Sequence, residues 1–183
     1  MASRALARTA TWLIRLLQLF FSIILMGIVS YMIHQYREYG GGDDSVPDEL
    51  IVSEVASVLG VFVSLFSILA IFFLGYTLQL LAAFLDFVIF VLYLASCGLL
   101  KDNFHSDSDR NPLRNALINM RAVNGESVRV NRHGGLVKML VAGVVIQVVL
   151  FFVTTVLGAY VASRTKDRRE RGTRRVGRRR AMV

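Results

Sequence analysis

Apolar residues in this chain gather into four long blocks instead of alternating with polar ones. The blocks cover residues 12–33, 50–75, 78–100 and 136–162, which is 22, 26, 23 and 27 positions. A hydrocarbon core of ~30 Å is crossed by about 20 helical residues at ~1.5 Å each, so every block predicts one membrane-spanning helix. The longer ones accommodate by tilting. Between the second and third blocks lies only Gly75-Tyr76-Thr77. A single rod over 50–100 would measure ~75 Å, so the pattern predicts a tight hairpin, with Gly75 ending one helix and Thr77 capping the next. The expected fold class is an all-α, four-helix transmembrane bundle. Its parts are residues 1–11 as an N-terminal segment, 12–162 as the four-span domain and 163–183 as a basic tail. The first block follows Arg4 and Arg8, as a secretory signal would. It exceeds the usual ~7–15 apolar residues and ends in bulky Tyr31-Met32-Ile33, which predicts a retained span.

Polar residues inside the blocks keep helical spacing. The second block carries Ser53, Ser57, Gly60, Ser64 and Ser67 at intervals of 4, 3, 4 and 3, one stripe of small residues. Helices in lipid associate through close backbone approach and interhelical hydrogen bonds, so this stripe predicts a packing seam. The first block offers Arg15, Gln18 and Ser22. The third has Asp86, Tyr93 and Cys97, and the fourth Gly143, Gln147, Thr154, Gly158 and Ala162. Counted from the predicted ends, Gln18, Ser67, Asp86 and Thr154 fall near one level, Asp86 being ~12 Å deep. An ionised carboxylate there costs about 2.5–3.5 kcal/mol on insertion scales. Asp86 is therefore expected to face the bundle and either to pair with Arg15 or to sit protonated. Near the opposite surface, Glu54 and Lys138 match in depth and sign as a candidate ion pair.

Charge fixes the expected orientation. The net charge is +8, and ten Lys or Arg stand between Arg164 and Arg180 against Asp167 and Glu170. Residues 34–49 hold Arg37 against five acids. The positive-inside rule then places both termini in the cytosol, in the plasma membrane or an endomembrane, and residues 34–49 and 101–135 on the other side. Cys97 is the single cysteine, which excludes an intramolecular disulfide and a cysteine-based zinc site. All three histidines lie outside the apolar blocks, and no G-x-S-x-G, H-E-x-x-H or phosphate-loop motif occurs. No catalytic residue, metal or cofactor is expected. In the second outer loop, Asn111-Pro112 reads as a helix start, with Leu113, Leu117 and Met120 on one face and Asn124-Gly125 as its end. The segment reads either as a short amphipathic helix at the membrane surface or as a partly ordered loop.

The first span reads Arg15-x-x-Gln18…Gly27-x-x-x-Tyr31 and the third Leu85-Asp86-Phe87…Tyr93-Leu94-Ala95. With four short-looped spans, these residues resemble the MARVEL family, and the third span looks like its fungal branch. The resemblance covers roughly residues 10–165. It implies a non-enzymatic role in membrane apposition, vesicle trafficking or lateral membrane domains. The outer-loop cysteine signatures of claudins and tetraspanins are missing.

Partners follow from the same features. The bilayer comes first, then anionic lipids of the cytosolic leaflet for Arg168, Arg169, Arg171, Arg174, Arg175, Arg178, Arg179 and Arg180. Homo- or hetero-oligomers with other membrane proteins are the expected protein contacts, and nucleic acid is not expected. Ten basic residues within 17 positions cannot bury a core, so the isolated tail is expected to be disordered. Arg168-Arg169-Glu170-Arg171 also resembles an arginine-based endoplasmic-reticulum retrieval signal. The rival function is a small oligomeric transporter or channel in which Asp86 binds a proton or cation.

Overall fold

The computed structural model describes residues 2–39, 46–73, 76–104, 111–113, 115–117 and 130–180. Four long helices dominate it: α1 (Ala2–Tyr39), α2 (Asp48–Phe73), α3 (Tyr76–Leu99) and α4 (Val130–Arg180). Each contains a stretch long and apolar enough to cross a membrane. α3 begins at Tyr76, one residue before Thr77, while Gly75 falls outside the described residues.

The helices form an up-down-up-down ring. α1 packs on α2 and α4, and α3 also packs on α2 and α4, leaving α1/α3 and α2/α4 as the two diagonals. Buried positions recur every three and four residues. On α1 they are Arg15, Gln18, Ser22, Leu25, Val29, Met32 and Tyr36, and on α4 Val137, Leu140, Val144, Gln147, Phe151 and Thr154. This repeat of 3.5 keeps one stripe of each helix toward its neighbours, the pattern of left-handed helical packing. The outward faces carry Phe62, Phe84 and Met139, each more than half exposed, as lipid-facing side chains should be.

One end of the bundle core is aliphatic. Leu25, Val29, Met32, Tyr36, Leu50, Leu100, Val137 and Leu140 form a cluster that also takes in Leu113 and Leu117. A 3₁₀ turn, Leu100–Asn103, follows α3 directly. Asn103 Oδ1 accepts the Leu113 N–H at 3.1 Å, and its carbonyl accepts Asn111 Nδ2 at 2.9 Å. Residues 112–113 and 115–117 are helical, with Leu113 and Leu117 buried on the bundle rather than turned to lipid. Met120 and Asn124-Gly125 lie outside the described residues.

The expectation of disorder concerns the isolated tail; in the whole chain the tail continues the fourth span as helix. α4 runs without interruption to Arg180. Arg, Lys and Glu are good helix formers, no proline intervenes, and a preceding span removes the cost of nucleation.

Candidate functional site

The other end of the core is polar, and its groups form one connected system. Arg15 on α1 and Asp86 on α3 meet across the bundle diagonal, each terminal guanidinium nitrogen donating to one carboxylate oxygen. Asp86 is fully buried and Arg15 nearly so. The forked guanidinium matches both oxygens at once, the strongest form of such a pair. Arg15 also donates to Gln18 Oε1 at 3.4 Å, and Gln18 Nε2 donates to Thr154 Oγ1 on α4 at 2.9 Å. Thr154 Oγ1 in turn donates a hydrogen bond to the Phe151 carbonyl at 3.1 Å.

One turn further in, Gln147 Nε2 donates to the Gln18 carbonyl at 2.9 Å and to Ser22 Oγ at 2.6 Å. Ser22 and Tyr93 share a hydrogen bond of 3.3 Å, and the Tyr93 ring stacks on Phe151 at 5.7 Å. Gly60 on α2 makes room for this junction. A Cβ there would stand 2.8 Å from Ser22 Oγ and 2.9 Å from Tyr93 Oη. Gly158 plays the same part between α4 and α3, where a Cβ would come within 2.6 Å of Ala83 Cβ. Three helices are thus tied by hydrogen bonds, and the fourth contributes absence of bulk.

The expected seam of α2 is buried along its length: Ser53, Ser57, Gly60, Ser64 and Ser67 all face inward. Its hydroxyls serve different ends. Ser57 donates to the Glu54 carbonyl at 2.9 Å, and Ser53 donates to the Glu49 carbonyl at 2.6 Å. With its proton so used, Ser53 accepts from Ser96 on α3 at 2.6 Å. Ser64 and Ser67 have no hydrogen-bond partner among the described residues.

The structure brings Arg15, Gln18, Asp86 and Thr154 together, and Gln147 joins them through the Gln18 carbonyl; Ser67, expected at the same level, has no hydrogen-bond partner among the described residues. It separates Glu54 from Lys138. They sit on diagonal helices, Lys138 is exposed, and Glu54 accepts Ser30 Oγ–H on α1 at 2.5 Å. Equal depth did not make them neighbours. Cys97 is only partly buried, and Ser96 takes the inward position beside Tyr93. The intervals 4, 3, 4, 3 and 4 from Ala82 through Asp86, Ile89, Tyr93 and Ser96 to Leu100 were the signal for it. Ala162 and the tail arginines belong to residues whose side chains are not described. Gly27 and Tyr31 face outward, Gly27 with open space at its Cα.

No group of three or more His, Cys, Asp or Glu suited to a metal occurs among the described residues. A family model described as a membrane-associating domain, MARVEL, matches residues 6–157. No curated protein matches the chain. No solved structure matches it either.

Proposed function

The chain belongs to the MARVEL family of membrane-associating domains, and from that premise we propose that it is a non-enzymatic scaffold organising membrane domains or membrane trafficking. The observation that supports this reading is the state of Asp86. Both of its oxygens are taken by Arg15, and neither residue is open to solvent. A carboxylate so engaged stabilises a bundle instead of exchanging ions. The outer faces, aliphatic and aromatic over the length of the spans, are the surfaces through which such a scaffold meets lipid and other membrane proteins. In this reading both termini are cytosolic, and the arginines of residues 168–180 attract anionic lipid when the helical tail lies down along the surface, each worth roughly 1 kcal/mol there.

The rival reading keeps Asp86 as a proton or cation site of an oligomeric transporter, and the hydroxyls of Ser64 and Ser67, which have no partner among the described residues, favour it. Reconstitution into liposomes separates the two. A scaffold gives no proton or cation flux above empty vesicles, and its tail enriches anionic lipid around it in a salt-sensitive way. Flux that disappears in Asp86→Asn, in a variant that still folds, overturns the scaffold.

A further inference from the structure

The inward stripes of α1, α2 and α3 share one seven-residue register. Gly60 on α2 faces Ser22 and Tyr93 together, since a Cβ there would lie 2.8 Å from the one and 2.9 Å from the other. Seven residues from each of these positions, toward the polar end, stand Ser67, Arg15 and Asp86. α2 runs antiparallel to both neighbours, so the three steps point the same way along the bundle, ~10 Å each. Ser67 therefore meets the Arg15–Asp86 pair from α2 as Gly60 meets Ser22 and Tyr93. All four helices have described side chains at this level.

Two polar atoms here are buried and have no hydrogen-bond partner among the described residues, Ser67 Oγ and Arg15 Nε. Both residues are more than nine-tenths buried. The inward side chains one turn from Ser67 and Asp86 are Ala70 and Ala82, both buried and both short, so no bulk closes on the guanidinium from that side. The polar groups nearby are already engaged, Asp86 by the two terminal nitrogens of Arg15, and Gln18 by Arg15 and Thr154.

The chemistry of the two atoms selects the ligand. Nε–H only donates, whereas a serine hydroxyl both accepts and donates. A cation is repelled by the guanidinium, and an anion by the carboxylate beside it. What fits is a small neutral molecule with a lone pair for Nε–H and a hydrogen for Oγ, and water has both. Ser64 lacks this setting. It lies three residues nearer Gly60, at the level of Gln18, whose amide oxygen and nitrogen are both in use.

We infer that the bundle binds a water molecule between Ser67 and Arg15, accepting from Nε–H and donating to Ser67 Oγ. Through it α2 joins the network that ties α1, α3 and α4, and the guanidinium gains a partner for its third kind of nitrogen. The site depends on the buried pair alone, so it stands whether the protein is a scaffold or a transporter.

The test uses the full chain, labelled with ¹⁵N-arginine, in phosphatidylcholine nanodiscs. Arg15 is the only arginine in the four apolar blocks, so its Nε–H should be the one sheltered from rapid exchange. That signal should show a nuclear Overhauser cross-peak to a long-lived bound water. Ser67→Ala should abolish the cross-peak and shift the unfolding equilibrium about fivefold toward the unfolded state, the worth of one net hydrogen bond. Ser64→Ala should leave both unchanged. A wild-type protein without the cross-peak overturns the site. So does a cross-peak undiminished in folded Ser67→Ala, or one lost equally in Ser64→Ala. Should Ser67→Ala fail to fold, Ser67→Cys keeps the shape with a weaker hydrogen-bonding group, and an undiminished cross-peak in that variant overturns the site equally.

Discussion

The two ends of this bundle are held together by different means. At the end that contains Arg15, hydrogen bonds join α1, α3 and α4 through named atoms, from Asp86 by way of Gln18 to Thr154 and Gln147. At the end that contains Tyr36, Leu50, Leu100, Val137 and Leu140 interlock with Leu113 and Leu117, with Ser53–Ser96 and Ser30–Glu54 as interhelical polar bonds beside them. In water the aliphatic end would be the stronger, because burial of its side chains would expel solvent. In lipid that gain vanishes, since acyl chains are as apolar as leucine. Packing and polar bonds must then carry both ends. The polar end specifies which helix faces which, and the aliphatic end supplies close contact with little power to discriminate.

The largest test of this contrast is Asp86→Leu. It leaves a buried guanidinium without its anion, and removing one member of a buried pair typically costs about 3–5 kcal/mol. Reversible unfolding in micelles should show that loss, with most of it recovered by adding Arg15→Leu. A double variant as unstable as the single one would mean that the pair is not the tie described here. Next is Leu140→Ala at the aliphatic end, for which lost packing predicts about 2–4 kcal/mol in the same assay. A loss below ~1 kcal/mol would show that lipid or neighbouring side chains refill the gap, and would make this end passive.

Gly60→Leu comes third. The added side chain collides with Ser22 and Tyr93, and overpacking of this kind costs about 1–3 kcal/mol. Phe62→Leu, on the lipid face, should change stability by less than ~0.5 kcal/mol. Equal effects at the two positions would mean that the seam has been misplaced. The smallest effect is expected from Ser64→Ala. Its hydroxyl has no partner among the described residues, so removal should be neutral or slightly stabilising. A loss above ~1 kcal/mol would reveal a bond this hydroxyl makes to something else.

Hydropathy is enough to foresee the four spans, helical spacing the common face of the α2 serines, and the cost of a buried charge leaves Asp86 two outcomes, protonation or the pairing with Arg15 that the structure has. Each depends on a property that one helix carries alone, its length or its face, or on the cost of leaving a charge unpaired in lipid. What spacing does not contain is the order of helices around the ring. Glu54 and Lys138 matched in depth and sign, yet the ring puts them on a diagonal and gives Glu54 to Ser30. The choice of Ser96 over Cys97 was readable only from the full 3.5-residue repeat of α3, because one residue of drift rotates a side chain by about 100°. Asn103 was harder still. Its role depends on residues 111–113 returning to the bundle, which no local pattern dictates.

The unbroken course of α4 to Arg180 has a mechanical consequence. Twenty residues separate Tyr160 from Arg180, so the far end of the helix stands ~30 Å beyond the end of the span. Electrostatic influence of the leaflet fades over ~8–10 Å at physiological salt. Arg164 and Lys166 fall within that reach when the helix stands upright, whereas the last arginines are held off as though on a mast. A small lean moves the tip sideways without bringing it to the leaflet. A tilt of about 10° within the bilayer sweeps the tip sideways by roughly 5 Å, a displacement set by the length of the arm. Whatever alters the packing of Gly158 against Ala83, at the foot of that arm, is thus magnified at its tip.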